Sequence, residues 1–211
     1  METISMKLIR ESEWMRVYQV APKHLHYESK FLRDNLYISA QDVRSRWPVL
    51  SSDEQFEFAL AFTAKGVWSA EDVEILNYLM RSDNDDVRHT IAIPVALHCD
   101  RARAREFLLH EATTTSTDRS NYYQALTTLS DSQTMPELRG HYEQYREQLT
   151  TAESFTGREK EFRNLCRDYL YCCAALWSIE GSPEFERAIR EYEVSPDQIV
   201  ADCARRILHR K

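Results

Sequence analysis

The clearest pattern of apolar and polar positions runs from Ser69 to Leu97, where two stripes with helical spacing flank a short acidic turn. Apolar residues recur three or four positions apart on each side of the turn, which is the spacing of one buried face of an α-helix. The apolar positions of the two stripes are Val73, Leu76, Leu79, Met80, Val87, Ile91, Val95 and Ala96. The pattern predicts two amphipathic helices that pack on each other and on their neighbours.

Serine and threonine residues followed three positions later by an acidic or amide residue predict where other helices begin. In such a capping box, the hydroxyl accepts a hydrogen bond from a backbone N–H, and the later side chain accepts one in return. A proline directly after a serine marks a helix start because its fixed backbone angle suits the first turn. The six predicted starts are Ser52–Gln55, Ser69–Asp72, Thr134–Glu137, Thr156–Glu159, Ser182–Pro183 and Ser195–Gln198.

Helical stripes also occupy the rest of the chain, among them stripes around Trp14 and Phe31. The longest stripe, over residues 158–179, is apolar nearly all round in its second half and predicts a central helix in a C-terminal bundle. Only four glycines occur and hairpin turn signals are missing, so a sheet has little support. We predict an all-α chain of about nine to eleven helices.

No Gly/Ser/Pro-rich linker interrupts these stripes, which predicts one helical domain over residues 1–211. Within it we expect a repeat-like core over about 39–150 and a C-terminal helical cap over about 156–211. An internal echo favours repetition, because the motif at 39–43 recurs at 69–73, a spacing close to that of helical-pair repeats.

One stretch carries a resemblance to a known family. Its matching positions are Ile75, Leu76, Leu79, Asp83, Asp86, Val87, Arg88, Ala92, Ala96 and Leu97. The stretch resembles a HEAT repeat, in which an aspartate ends the first helix and a Val-Arg pair opens the second, and the similarity is best over about 69–130. The resemblance implies a compact HEAT-like α-solenoid of antiparallel helix pairs, with extra capping helices at both ends, whose concave face binds partners that are usually proteins. Pro94 is expected to kink its helix.

Charge narrows the class of partner. The chain has 34 acidic and 27 basic residues and a net charge of −7, which repels a phosphate backbone and favours a protein partner with a basic surface. The exception is a cluster of Arg101, Arg103 and Arg105, which is similar in kind to the basic surface of DNA glycosylases with HEAT-like stacks. One cluster supplies little of the long basic groove that nucleic acid needs, so nucleic acid is not the expected partner.

Cysteine usage and apolar run lengths bear on location. The five cysteines form no CxxC pair and lie mostly on apolar helical stripes, which predicts reduced core thiols. No segment has the length of a membrane span, and the N-terminal residues carry no signal-peptide pattern. We therefore expect a cytoplasmic protein that does not bind membranes.

Two His-acid pairs are the candidates for metal chemistry. His110-Glu111 is similar to the dyads of iron hydroxylases built from HEAT-like repeats, and His98-Asp100 is similar to the His-Asp pair of metal-dependent phosphohydrolases. A dinuclear site needs several such pairs, and the further ligands are not identifiable here. We predict no catalytic residues, no metal and no cofactor, and expect His98 and Asp100 to end one helix and begin the next. The alternative is a metal-dependent enzyme on a HEAT-like scaffold.

The remaining candidate is a partner-binding surface. Acidic groups steer a basic partner, and tyrosine combines large contact area with a hydrogen-bonding tip, although tyrosines at helical spacing more often belong to the core. The candidate surface comprises Asp83, Asp85, Asp86, Tyr122, Tyr123, Tyr142 and Tyr145. The sequence thus predicts a non-catalytic protein-protein binding module, in its most concrete form an immunity or inhibitor protein that neutralises a toxin.

Overall fold

The structure, a computed structural model, describes residues 39–63, 67–115, 118–151 and 157–209. These residues form ten α-helices and no strand, so the all-α prediction is confirmed for the described part of the chain. The helices are α1 (Ala40–Arg46), α2 (Ser52–Thr63), α3 (Ala70–Leu79), α4 (Asp85–His98), α5 (Arg101–Thr114), α6 (Ser120–Leu129), α7 (Met135–Thr150), α8 (Glu159–Glu180), α9 (Pro183–Arg190) and α10 (Gln198–Leu208). Short 3-10 turns cover Trp47–Val49 and Ser132–Thr134.

Several helix starts are capped as the sequence predicts. The Ser69 hydroxyl accepts from the Asp72 backbone N–H, and the Asp72 carboxylate accepts from the Ser69 backbone N–H, so both halves of the capping box are present. Ser182 caps α9 with Pro183 in its first turn, and Asp100 caps α5 through the Arg103 N–H. The capping role predicted for Asp100 is therefore confirmed.

Other predicted starts are corrected by the structure. At α2 the box is Ser51 with Glu54 rather than Ser52 with Gln55, because the Gln55 amide donates instead to the Trp47 and Leu50 carbonyls. The start predicted at Thr134 is in the right place, since α7 begins at Met135, but the Thr134 hydroxyl donates to the Asp131 carbonyl inside a 3-10 turn and makes no cap bond. At α10 the cap is Asp197 rather than Ser195, since one carboxylate oxygen accepts from two successive N–H groups. The predicted box at Thr156 and the stripes near Trp14 and Phe31 lie outside the described residues.

The described residues divide into two compact units, with the boundary between Cys99 and Asp100. The sequence placed its change of character after residue 150 instead, and the single-domain assignment stays a prediction. In the first unit α4 packs on α2 and α3, and α1 packs on α3. The α3 and α4 stripes meet in this core, where Leu76, Leu79, Val87, Ile91 and Val95 are fully buried. Helix α4 continues through Pro94, which is itself buried.

In the second unit α8 is the central helix. It packs on α6, α7, α9 and α10, while α5 packs on α6, as expected from the apolar second half of the α8 stripe. Four of the five cysteines are buried in this unit, and all five are free thiols. Burial raises the pKa of the Cys166 thiol to about 12, so it stays protonated and packs as a small apolar group. Among the described residues, no helix combines the length and the apolar character that crossing a membrane requires.

Candidate functional site

The acidic turn, residues 82–86 at the junction of α3 and α4, brings the three predicted aspartates together at the surface. Asp83, Asp85 and Asp86 are all exposed. Asn84 builds the turn from within, since its side-chain oxygen accepts from the Asp86 N–H at 3.1 Å and caps α4. Its amide nitrogen donates to the Ser52 carbonyl of α2 at 2.9 Å. The turn is therefore fixed to a second helix by an uncharged side chain.

A basic residue also fixes the turn. The Arg88 guanidinium donates to the Ser82 carbonyl and to the Asp85 carboxylate, both at 2.5 Å. Part of the Asp85 charge is thereby offset, whereas Asp86 lies in the first turn of α4, where the helix dipole favours an anion. The carboxylates of the turn are thus exposed on a backbone that needs little further ordering when a partner binds.

The four predicted tyrosines are core residues and not surface residues. Their exposures are 1 % for Tyr122, 0 % for Tyr123, 5 % for Tyr142 and 3 % for Tyr145, so the prediction that they contribute to a partner surface is corrected. The reason is tertiary, because α5 and α8 both pack on α6 and α8 also packs on α7. Tyr142, for example, stacks on Tyr169 with ring centroids 5.5 Å apart.

Two of these tyrosines belong to a hydrogen-bonded series that we call the hydroxyl chain, made of Arg119, Tyr145, Tyr123, His141 and Thr113. The Arg119 guanidinium lies 3.1 Å from the Tyr145 oxygen, which lies 2.8 Å from the Tyr123 oxygen. The Tyr123 oxygen is 3.0 Å from Nδ1 of His141, whose Nε2 is 3.2 Å from the Thr113 hydroxyl. The chain thus connects α6 and α7 in the interior of the second unit and ends at the exposed Thr113 on α5.

Burial favours the uncharged forms of the two tyrosines and the histidine in the hydroxyl chain. It raises the pKa of Tyr123 far above its ordinary value and also raises the pKa of Tyr145. Burial lowers the pKa of His141, and the nearby Arg119 charge lowers it further. Beside the chain, burial raises the pKa of the Asp168 carboxyl on α8 to about 7, although Arg119 opposes that shift.

Sequence reasoning missed Asp168 and three members of the hydroxyl chain, which are Thr113, Arg119 and His141. His141 was detectable in principle, because it precedes Tyr145 by four residues and therefore shares its helix face. Arg119 lies between two helices and Asp168 on a third, so no spacing in the sequence indicates that they meet. Only the packing of α8 brings them together.

The residues of the two candidate metal pairs have separate structural roles. His110 is exposed, whereas Glu111 is buried and accepts a hydrogen bond from the Tyr122 hydroxyl at 3.4 Å. The His98 ring stacks on Trp68 with centroids 4.5 Å apart. Within the described ranges, no group of three or more His, Cys, Asp or Glu side chains is arranged to hold a metal ion.

The arginine cluster on α5 is also used in part for structure. Arg105 forms an ion pair with Asp131 at 2.7 Å, and Arg101 lies 3.7 Å from the same carboxylate. Arg101 also donates to the Ser130 carbonyl at 2.7 Å. Two of the three arginines therefore hold the connection between α6 and α7.

No protein-family model, curated protein or solved structure matches this chain. Function must therefore be inferred from the geometry of the described residues. Two arrangements carry chemistry: the exposed acidic turn, which can bind a cationic surface, and the buried hydroxyl chain, which can respond to protons.

Proposed function

We propose that the protein is a non-catalytic protein-binding module, which presents the acidic turn to a basic surface of its partner. The observation that carries the proposal is the set of three adjacent, exposed aspartates on a turn fixed by Asn84 and Arg88. A fixed turn loses less conformational entropy on binding, so more of the electrostatic attraction remains as affinity. The net charge of −7 has the same sign as the turn and favours encounter with a basic partner.

The proposal extends to the scaffold. We infer that the α3–α4 pair is a HEAT-like unit within a compact α-solenoid, and that α1 and α3 are related positions in successive pairs. Both helices begin one residue after a serine, at Ala40 and Ala70. The Ala40 backbone N–H also donates to the Glu71 carboxylate at 3.0 Å, which joins the two helix starts.

The narrowest form of the proposal is an immunity or inhibitor protein that neutralises a toxin in the cytoplasm. A toxin that acts on an anionic target needs a basic binding surface, and an acidic turn is complementary to such a surface. The buried free thiols are consistent with a reducing compartment.

The test is a paired charge reversal. Asp83→Lys with Asp86→Lys reverses the turn while leaving the Asp85–Arg88 pair in place. Glu143→Lys with Glu147→Lys makes the same charge change at exposed positions of α7 in the other unit. The partner is captured from the native host, identified and purified, and its affinity for each variant is measured by titration calorimetry at two salt concentrations.

We expect the turn variant to bind at least ~10-fold more weakly, about 1.4 kcal/mol, with a smaller difference at high salt because exposed charges are screened. The α7 variant is expected to bind within about twofold of the parent, since it lies outside the proposed contact. Equal weakening by both variants would indicate a net-charge effect rather than a site. Stoichiometric iron, zinc or manganese in the purified protein would favour the enzyme alternative.

A further inference from the structure

The two ends of the hydroxyl chain fix the direction of its hydrogen bonds. A guanidinium has no acceptor, so Arg119 donates and the Tyr145 oxygen accepts. At the other end, the Thr113 hydroxyl donates its proton to the Leu109 carbonyl at 2.8 Å. The Thr113 oxygen must therefore accept from His141, and this places a proton on Nε2 of that ring.

The interior of the chain follows from these ends. The Tyr145 hydroxyl donates to Tyr123, because among the described residues the Tyr123 oxygen is the acceptor within its reach. Tyr123 in turn donates to Nδ1 of His141 at 3.0 Å. Every member between the ends then donates one hydrogen bond and accepts one, and His141 is neutral with its proton on Nε2. The opposite direction leaves the Tyr145 proton facing the Arg119 guanidinium.

We propose that His141 is a proton-sensitive switch whose protonation reverses both tyrosine hydroxyls and weakens the side-chain contacts of α5 and α6 with α7. A second ring proton turns Nδ1 from an acceptor into a donor, so the Tyr123 oxygen must accept from it. The Tyr123 hydroxyl then has to donate towards Tyr145, which already accepts from Arg119. The Tyr145 proton loses its acceptor in a buried position, and such an orphaned group is costly.

The charges around His141 determine the sign of the response. Burial and Arg119 lower its pKa, and Glu137 on the same helix opposes them. In the pH range between the lowered pKa and the ordinary value near ~6.5, the unfolded chain binds more protons than the folded chain. Stability conferred through His141 is therefore lost as the pH falls. The groups that face the chain from the packed elements are Arg119 directly before α6, Thr113 from α5, Tyr123 from α6, Glu137 and Tyr145 from α7, and Asp168 and Cys172 from α8.

Asp168 titrates in the opposite sense and has to be separated from His141. Its raised pKa stabilises the fold as the pH falls, which partly masks the effect of His141 in the parent protein. A comparison of variants that all retain Asp168 removes this contribution. The difference between parent and His141→Gln then reports the histidine.

The first measurement is nitrogen NMR of the parent protein with labelled histidine, in which the His141 ring is assigned through its own backbone resonances. At about pH 7.5 we expect an Nε2–H tautomer for His141, and a midpoint below the ordinary value of ~6.5. Tyr123→Phe removes the donor to Nδ1 and is expected to raise that midpoint. An Nδ1–H tautomer, or a midpoint at or above ~6.5 in the parent, would overturn the proposal.

The second measurement is urea unfolding at about pH 7.5 and about pH 5.5. We expect the unfolding midpoint of the parent to fall further with acid than that of His141→Gln. His110→Gln, an exposed histidine on α5, is the matched control and should behave as the parent does. The same acid response in parent and His141→Gln would contradict the switch, and the parent NMR decides the question even if the variant does not fold.

Discussion

Aromatic side chains fill the cores of both units, but they are held in different ways. In the first unit Trp47, Phe58, Phe62 and Trp68 form a series of ring contacts, with centroids 5.7, 5.6 and 5.3 Å apart in turn. In the second unit the rings are largely tyrosines, and two of them take part in the hydroxyl chain. Burial is almost complete in both cases at Phe58 and Tyr123.

Aromatic side chains therefore form two kinds of core in this protein. Contacts between rings stabilise mainly through buried apolar area and do not depend on a hydrogen-bond direction. A buried hydroxyl needs hydrogen-bond partners in the core. The stability of the second core therefore depends on the direction of its hydrogen bonds. We expect the stability of the first core to depend on side-chain volume. We expect the stability of the second core to depend on whether its titratable groups gain or lose protons.

The largest expected effect is in the ring series. Phe58→Ala removes a fully buried ring between Trp47 and Phe62 and should cost about 3–5 kcal/mol of unfolding free energy, because the cavity left behind closes only partly. Urea unfolding measures the loss, which should be the same at neutral and mildly acidic pH since neither neighbour titrates. Phe58→Leu keeps most of the volume and should cost less. A loss of unfolding free energy that changed strongly with pH would contradict the proposed difference between the two cores.

A smaller effect on the unfolding free energy is expected at two neighbouring carboxyls, Asp168 and Asp118. The two effects change with pH in opposite directions. The Asp168 pKa is raised to about 7, so its contribution to stability is present at low pH and lost as the pH rises through 7; Asp168→Asn should therefore be relatively more stable above that pH. Burial would raise the Asp118 pKa, but bonds from Ser120 and Arg167 lower it below the ordinary value. Its contribution is present at neutral pH and lost in acid.

Asp118→Asn is thus the matched control for Asp168→Asn, because it makes the same chemical change with the opposite expected sign. Unfolding midpoints in urea over a series of pH values would compare the two variants. If both variants shifted the midpoint in the same direction at neutral pH, the distinction between a carboxyl whose pKa is raised by burial and one whose pKa is lowered by its hydrogen bonds would fail.

The smallest effect is at an exposed polar contact of the first unit. Ser51→Ala removes the capping box of α2 and should cost about 1 kcal/mol, whereas Ser52→Ala should be nearly neutral because Ser52 is already inside the helix. Thermal or urea unfolding of the two variants decides between adjacent positions. A larger loss at Ser52 would favour the cap that the sequence alone suggested.

Features that depend only on residues within one or two helical turns could be predicted from the sequence. The α3 and α4 stripes, the Ser69 box, the Ser182–Pro183 start and the exposed acidic turn between the helices are all local, and the structure contains each of them. Where two adjacent residues compete for one cap, as Ser51 and Ser52 do, local pattern is insufficient because the backbone angle at the helix start decides.

Tertiary structure alone decided the rest. Whether a tyrosine on an amphipathic helix faces a partner or the core depends on which helix covers it, and α8 packs on both α6 and α7. The hydroxyl chain joins Arg119, Tyr123 and His141 across three elements, and Asp168 meets Arg119 only in the folded chain. Hydrogen bonds and pKa shifts of this kind arise from burial and from charges distant in sequence, which no spacing along the chain encodes.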